Sequence, residues 1–402
     1  MRPGRPSVVL PRPDGSLETY RVSEPRAWPR PSKPFQRRIG YAAAHVVADP
    51  LADNAPGAPA VLDWDATLAF RRHLWSYGLG VADAMDTAQR GMGLTWEATA
   101  ELVRRSAAEA ATVDGLLACG VGTDQLPPVE GASRGTGTPG GPDVADASLD
   151  TVIGAYEEQL AVVEDAGAQP ILMASRHLAA AARSVDDYAK VYGHLLAQVS
   201  RPAILHWLGP MFDPALAGYW GSPDIAAATA AFLAIVREHA GRIDGVKVSL
   251  LDEEHEVGLR SALPAGVHLY TGDDFNYPQL IWSGSDALLG IFDAIAPAAA
   301  TALAALDAGD ERAYAEAFEP TVALSRHLFA APTYYYKTGI CFLAWLSGHQ
   351  EAFAMVGGLQ GARSVPHLVQ AFRLADKAGL LSDPDLASAR MQRFLAVQGV
   401  GS

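Results

Sequence analysis

The sequence predicts an α/β protein: a closed (β/α)8 TIM barrel with an N-terminal hairpin and arm and a C-terminal helical extension. Short apolar segments alternate with helical patterns eight times within about 255 residues, which is typical of a closed parallel barrel. A Pro-rich segment precedes this alternation, and an almost entirely helical segment follows it. We therefore expect three parts, residues 1–38, 39–306 and 307–402.

The first part begins with an alternating pattern over Val8–Val22 around Pro13-Asp14-Gly15-Ser16, which predicts a β-hairpin. Pro-rich Pro25–Arg38 is expected to be an extended arm on the surface of the barrel.

The barrel pattern begins at residue 39. Its strands are expected at Ile39–Val47, Val81–Met85, Leu116–Gly122, Pro170–Ser175, Ala203–Leu208, within Ile243–Asp252, and at Val267–Thr271 and Ala287–Phe292. Helices are expected between them, with Asp63 or Asp65 and Thr95 as N-caps of the first two. Residues Gln125–Ala147, rich in Gly and Pro, are predicted to be a lid-like loop after the third strand.

The last part is predicted to be helical throughout. Ala294–Leu306 would complete the barrel, and four further helices are expected at Glu311–Leu328, Tyr335–Ser347, Pro366–Lys377 and Asp383–Val397.

The composition limits the partners that we expect. A net charge of −14 argues against nucleic acid and anionic membranes. We find neither a secretion signal nor an apolar stretch that predicts a membrane span, and expect a cytoplasmic protein. Cys119 and Cys341 are expected to be free buried thiols.

Lys247 is the most informative residue of the sequence. It is one of five lysines, and it lies within the apolar segment Ile243–Asp252 that predicts a buried strand. Burial lowers the pKa of a lysine, and a neutral amine attacks carbonyl carbon. A lysine in a salt bridge at the strand end would explain the same pattern.

In a TIM barrel the active site lies at the carboxyl ends of the strands. Several polar residues are expected there: His45, Asp86, Thr87, Arg176, His177, His206, Lys247, Ser249, Asp273 and Asp274. A lysine that faces this cluster suits imine formation with a carbonyl substrate.

Two segments resemble the dihydrodipicolinate synthase/N-acetylneuraminate lyase family. Gly245-Val-Lys247-Val-Ser249 is similar to that family's Gly-Ile-Lys-[Asp/Glu]-Ser, and Tyr270-Thr-Gly272-Asp273-Asp274 is similar to its Ser-Gly-Asp-Asp. The resemblance implies a Schiff-base lyase or aldolase with Lys247 as the nucleophile, no cofactor, a small carbonyl substrate and a homo-oligomer. It also implies that Ser249, Gly272, Asp273 and Asp274 bind or orient the substrate.

The chain departs from the family pattern at two places. The family's Gly-Thr-Thr-Gly-Glu corresponds to Asp86-Thr87-Ala88-Gln89-Arg90, so a keto sugar suits the site better than pyruvate unless Arg90 points inward. The family's proton-transferring tyrosine is replaced in the segment His206-Trp207-Leu208. We expect His206 or Tyr270 to move the proton.

Two alternatives remain open from the sequence. One is a divalent-metal isomerase or epimerase that would use five ligands: His45, His177, His206, Asp86 and Asp273. The other is a barrel that binds a carbonyl metabolite without turnover.

Overall fold

The computed structural model describes residues 5–127 and 148–400, so most of the loop predicted at Gln125–Ala147 lies outside the described residues. The N-terminal hairpin consists of β1 (Ser7–Pro11) and β2 (Leu17–Arg21), which pair antiparallel. The strands of the barrel are β3 (Gly40–Ala43), β4 (Gly80–Asp83), β5 (Leu117–Val121), β6 (Gln169–Leu172), β7 (Ala203–Leu208), β8 (Ile243–Ser249), β9 (His268–Thr271) and β10 (Asp286–Leu289).

Within the described residues, the eight barrel strands close in the order β10-β3-β4-β5-β6-β7-β8-β9. All eight pairings are parallel, because each strand is followed by a helix that returns the chain to the same end. The predicted closed barrel is therefore confirmed. Its interior is filled by residues that point inward from alternate positions: Tyr41, Ala43, Ala82, Ala118, Ile171, Ile204, Tyr270 and Leu288.

Helices lie between the barrel strands as expected, and those of the C-terminal part begin and end close to the predicted positions. They are α1 (Trp64–Ser76), α2 (Trp96–Val113), α3 (Leu149–Asp165), α4 (Arg176–Ala181), α5 (Val185–Gln198), α6 (Ile225–Glu238), α7 (Glu253–Ala262), α8 (Tyr277–Ser283), α9 (Ile291–Ala308), α10 (Glu311–Leu328), α11 (Tyr336–Leu346), α12 (Val365–Lys377) and α13 (Pro384–Val397). Asp63 and Thr95 accept N-cap hydrogen bonds as expected. Helix α4 was not predicted.

A buried ion pair joins α1 to the barrel. The Arg71 guanidinium donates to both carboxylate oxygens of Asp83 at the end of β4, at 2.7 and 2.9 Å, and both side chains are fully buried. Arg71 also donates to the carbonyls of His45 and Thr67, and Asp83 accepts from the Ala84 amide. The pair therefore fixes the position of α1 against the first two barrel strands.

The N-terminal hairpin packs on the last two helices of the chain. The Tyr20 hydroxyl donates to Asp376 of α12 at 2.7 Å, and the Ser23 amide donates to the same carboxylate at 2.9 Å. Arg373 of α12 lies 2.6 Å from Glu18 in β2. The two ends of the chain thus form one packed layer outside the barrel.

Helix α9 is the one described helix that is long and apolar enough to cross a membrane, with a mean hydropathy of 1.5. In the structure 67% of it is buried, and it packs against β3 and α10. This burial explains its composition, since a core helix of a TIM barrel must be apolar on most of its surface.

Candidate active site

Lys247 lies at the centre of the site. On β8 it is opposite His206 of β7 and Tyr270 of β9, and its side chain is 4% exposed. Among the described residues its amine has no hydrogen-bond or ion-pair partner. Burial lowers the pKa of Lys247, and the carboxylates of Asp86 and Asp274 oppose that shift. The salt bridge that would have made this lysine structural is absent from the described part of the chain.

Glycine at position 272 allows β9 to approach the lysine closely. A Cβ atom there would lie 2.7 Å from the carbonyl oxygen of Val248 and 3.0 Å from Cε of Lys247, and would also overlap the hydroxyl of Ser249. Any larger residue would therefore displace Lys247 or Ser249. The predicted site residues Lys247, Ser249 and Gly272 are thus brought together.

The end of β4 and the start of α11 supply a second group. The hydroxyls of Thr87 and Tyr336 are 2.6 Å apart, and Tyr336 donates to Asp86 Oδ2 at 3.0 Å. Because the Tyr336 hydroxyl already donates its hydrogen to Asp86, the Thr87 hydroxyl must be the donor to Tyr336. A chain of hydrogen bonds therefore runs from Thr87 through Tyr336 to Asp86.

Asp86 is held in its charged form. Burial by itself would raise its pKa, but Lys247, Lys337, His206 and the hydrogen bond from Tyr336 together lower the pKa of Asp86 to about 2. Burial and the adjacent Asp86 raise the pKa of Tyr336 well above its ordinary value, so that this hydroxyl keeps its proton.

The two carboxyl groups after β9 differ. Asp274 accepts from the Ile291 amide at 2.8 Å. Burial raises the pKa of Asp274 well above its ordinary value and so favours the neutral acid, although this hydrogen bond and the charge of Lys247 oppose that shift. Asp273 accepts from the amides of Phe275 and Asn276 and from the Asn276 side chain, as a turn cap does. Asp274 is therefore the one of the two that interacts with Lys247.

His206 is close to the lysine but is kept neutral. It is fully buried, and its Nε2 lies 3.4 Å from the Ser249 hydroxyl. Burial and the charge of Lys247 lower the pKa of His206 well below its ordinary value. The expectation that His206 exchanges protons near neutral pH is therefore not supported by its surroundings.

Two predicted site residues lie elsewhere. The Tyr270 hydroxyl donates to Asp244 at 2.7 Å. Asp244 is three residues before Lys247 on β8, so the Tyr270 side chain points toward the amino end of the barrel and away from the site. Arg90 donates to Asp124, Gln159 and the carbonyls of Ala84 and Gly120. The prediction that Tyr270 moves a proton at the site is wrong, and Arg90 does not point inward to hold a substrate carboxylate.

Sequence reasoning missed two residues, Tyr336 and Lys337, both at the start of α11. Lys337 is 1% exposed, and its charge lowers the pKa of Asp86. Its Nζ lies 3.5 Å from Met92 Sδ. A signal was present: Lys337 is one of only five lysines, and it lies in an otherwise apolar helix.

We expect Tyr336→Phe to raise the pKa of Asp86, because the charged form loses a hydrogen bond. Asp86 has an unfolded pKa near 3.8 and a folded pKa of about 2, so its stabilising contribution is present above pH 3.8 and is lost as the pH falls toward 2. With a higher folded pKa that contribution is smaller. The acid-unfolding midpoint, followed by circular dichroism, should therefore move to higher pH.

The half-buried neighbour Tyr335 gives the matched control for this prediction. Tyr335→Phe removes a hydroxyl from the same turn without touching Asp86, and should leave the acid midpoint unchanged. Equal shifts in the two variants would contradict the hydrogen-bond chain.

The barrel has the fold that is also found in dihydrodipicolinate synthases. The structure is similar to dihydrodipicolinate synthase from Aquifex aeolicus, with a TM-score of 0.62 and 12% identity over 85% of this chain and 98% of that one. It is also similar to YagE of E. coli K12, a prophage protein of the dihydrodipicolinic acid synthase family in complex with pyruvate (TM-score 0.65, 13% identity, 85% and 99% covered). These likenesses confirm the predicted resemblance at the level of the fold.

The chain belongs to the family described as "protein of unknown function (DUF993)", whose model matches residues 8–400. No curated protein matches the sequence. A third similar structure is a putative dihydrodipicolinate synthetase from Pseudomonas aeruginosa, at 15% identity and a TM-score of 0.62, with 85% of this chain and 99% of that one covered.

Proposed function

We propose that the protein is a Schiff-base-forming lyase or aldolase that acts on a small carbonyl substrate, a keto acid or a keto sugar. The observation that carries the proposal is the buried amine of Lys247, which has no ion-pair partner among the described residues and has a lowered pKa. Similar structures of the dihydrodipicolinate synthase type support the same class of chemistry. No cofactor is required for it.

In the proposed reaction the neutral amine of Lys247 adds to the substrate carbonyl carbon. The carbonyl oxygen takes up a proton, and a second proton transfer releases it as water, which leaves a protonated imine. The imine accepts the electron pair of the Cα–Cβ bond as that bond breaks, while the hydroxyl on Cβ loses its proton and that fragment leaves as a carbonyl compound. The enamine carbon then takes up a proton, and water hydrolyses the imine to release the product and the free amine of Lys247. In the condensation direction the same steps run in reverse.

Proton transfer in this scheme uses the hydroxyls of Thr87 and Tyr336. Their chain ends at the Asp86 carboxylate, which fixes the direction of both hydrogen bonds. We infer that Asp274, in its neutral form, and Ser249 orient the substrate beside Lys247. Asp86 disfavours a carboxylate near Thr87, whereas Lys337 opposes that effect, so the charge of the site allows either substrate class.

The metal-dependent alternative receives little support from the geometry. No group of three or more His, Cys, Asp or Glu side chains in the described segments is arranged to hold a metal ion. His45, for example, is paired with Asp293, and Asp273 caps a turn.

We further propose that the enzyme is cytoplasmic and homo-oligomeric. Analytical ultracentrifugation of the purified protein would test the oligomeric state.

The test of the proposal is borohydride trapping with a panel that includes pyruvate and several keto sugars, followed by peptide mass spectrometry. We expect a reduced adduct on Lys247, and the compound that forms it will identify the substrate class. An adduct only on exposed lysines such as Lys190, or no adduct with any compound, would overturn the proposal.

A further inference from the structure

Asp86 presents one carboxylate oxygen to the space beside Lys247. Its Oδ2 accepts the hydrogen of the Tyr336 hydroxyl at 3.0 Å, whereas Oδ1 accepts from no described residue. Oδ1 is nevertheless not one of the fully buried polar atoms that lack a partner, and Asp86 keeps 7% of its surface exposed. One oxygen of an ionised carboxylate is therefore accessible at the carboxyl ends of the barrel strands.

Lys247 and Asp86 are neighbours in this space. Among the described residues, Lys247 lowers the pKa of Asp86 more than any other charge does, and Asp86 raises the pKa of Lys247 more than any other charge does. Such effects weaken with distance, so the two groups lie close together. A carbonyl carbon that is bonded to the Lys247 amine therefore places its substituents near Asp86 Oδ1.

The donors that could hold a substrate carboxylate beside Asp86 are already used. Arg90 donates its hydrogens to protein oxygens. Lys337 is only 1% exposed, so its charge stabilises Asp86 but presents little surface to a substrate. The amides of Ala88 and Gln89 donate to carbonyls within their own turn. Charge alone allows a keto acid or a keto sugar, but the accessible hydrogen-bonding groups distinguish between the two.

A carboxylate and a hydroxyl behave differently at this position. The carboxylate of a 2-keto acid only accepts hydrogen bonds, so it would repel Asp86 and leave Oδ1 without a donor. A hydroxyl in the same place donates its hydrogen to Oδ1, and its oxygen can accept from the neutral acid of Asp274 or from Ser249. A site that hydrogen-bonds a substrate hydroxyl strongly rejects an analogue that lacks it.

We propose that Asp86 makes the site selective for a small hydroxy ketone, in which a carbon next to the carbonyl carries a hydroxyl, over a 2-keto acid. The hydroxyl donates to Asp86 Oδ1 while the Lys247 amine forms the imine at the carbonyl carbon. Asp86 is thus a specificity-determining residue, and the hydrogen bond from Tyr336 fixes the orientation of its carboxylate. This inference rests on the proposed imine chemistry of Lys247.

The test compares hydroxyacetone with pyruvate, two methyl ketones of three carbons that differ only in a hydroxymethyl group against a carboxylate. The full-length protein is incubated with a concentration series of each and reduced with borohydride, and the adduct on Lys247 is quantified by peptide mass spectrometry. We expect the half-saturating concentration of hydroxyacetone to be at least tenfold lower than that of pyruvate.

The outcomes separate this inference from the proposed function. A Lys247 adduct that forms as readily with pyruvate as with hydroxyacetone, or more readily, would overturn the selectivity and leave the imine chemistry intact. Absence of a Lys247 adduct with these two ketones and with every other compound of the larger panel would overturn both.

Two acidic residues provide the matched variants. Asp86→Asn removes the charge and adds an amide that can donate to a carboxylate, so the preference for hydroxyacetone should fall at least tenfold. Losing this charge also lowers the pKa of Lys247, but both ketones react with the same amine, so that effect cancels in the ratio. Asp213, similarly buried at the same end of the barrel, pairs with Arg176. Asp213→Asn should keep the ratio of the natural protein.

Circular dichroism verifies that both variants fold, and the ratio measured on the natural protein tests the inference without either of them. An unchanged ratio in folded Asp86→Asn, or an equal fall in Asp213→Asn, would overturn the assignment of selectivity to Asp86.

Discussion

The Lys247→Met variant is expected to lose the trapped adduct completely and to lose turnover by on the order of 10³-fold or more, because the amine that forms the imine is removed. Methionine nearly preserves the volume of the side chain and removes its amine. The measurement is turnover of the trapped compound, together with mass spectrometry of the reduced protein.

Lys337→Met is the matched control, since Lys337 is also a buried lysine near Asp86. We expect this variant to keep the adduct on Lys247. It should also raise the pKa of Asp86, because a favourable charge is removed. Loss of the adduct in Lys337→Met, together with its retention in Lys247→Met, would show that Lys337 and not Lys247 is the nucleophile.

Arg71→Ala is expected to reduce the free energy of unfolding by about 3–5 kcal/mol, because it leaves the Asp83 carboxylate buried without its cation. Both side chains of the pair are fully buried. The carbonyls of His45 and Thr67 would lose donors in the same variant. Urea unfolding followed by circular dichroism measures the change.

The adjacent Arg72 is the control for this prediction. Arg72 contacts Glu109 at 2.8 Å, but its side chain is 48% exposed. Surface pairs contribute about 0–1 kcal/mol, so Arg72→Ala should be nearly neutral. Similar losses in the two variants would mean that charge at this end of α1, and not burial of the pair, determines stability.

Most of the barrel could be predicted because its signals are local. The strand around Lys247 is apolar and bounded by turn residues, and the helix expected after it, α7, begins at Glu253 after the Asp252 cap. Helix α4 was missed because it has only six residues, too few for a periodic pattern. The prediction that Lys247 lies within this strand is confirmed.

The rest of the site depends on contacts between distant segments. Tyr336 meets Asp86 across 250 positions of sequence, and no local pattern indicates which end of a barrel a later helix will cover. Tyr270 shows the converse. Its place on β9 was predicted, but the direction of its hydroxyl depends on Asp244, an acceptor on another strand.

The pairing of the hairpin with α12 has a consequence for protein synthesis. Tyr20 and Asp376 are 356 positions apart, so the hairpin leaves the ribosome long before its partner α12 has been synthesised. At about 5–20 residues per second, that interval is roughly 20–70 s. During this time the hairpin exposes the apolar side chains of Val8 and Leu10, which are buried in the finished fold. A nascent chain that stalls before α12 should therefore be a substrate for chaperones and proteases.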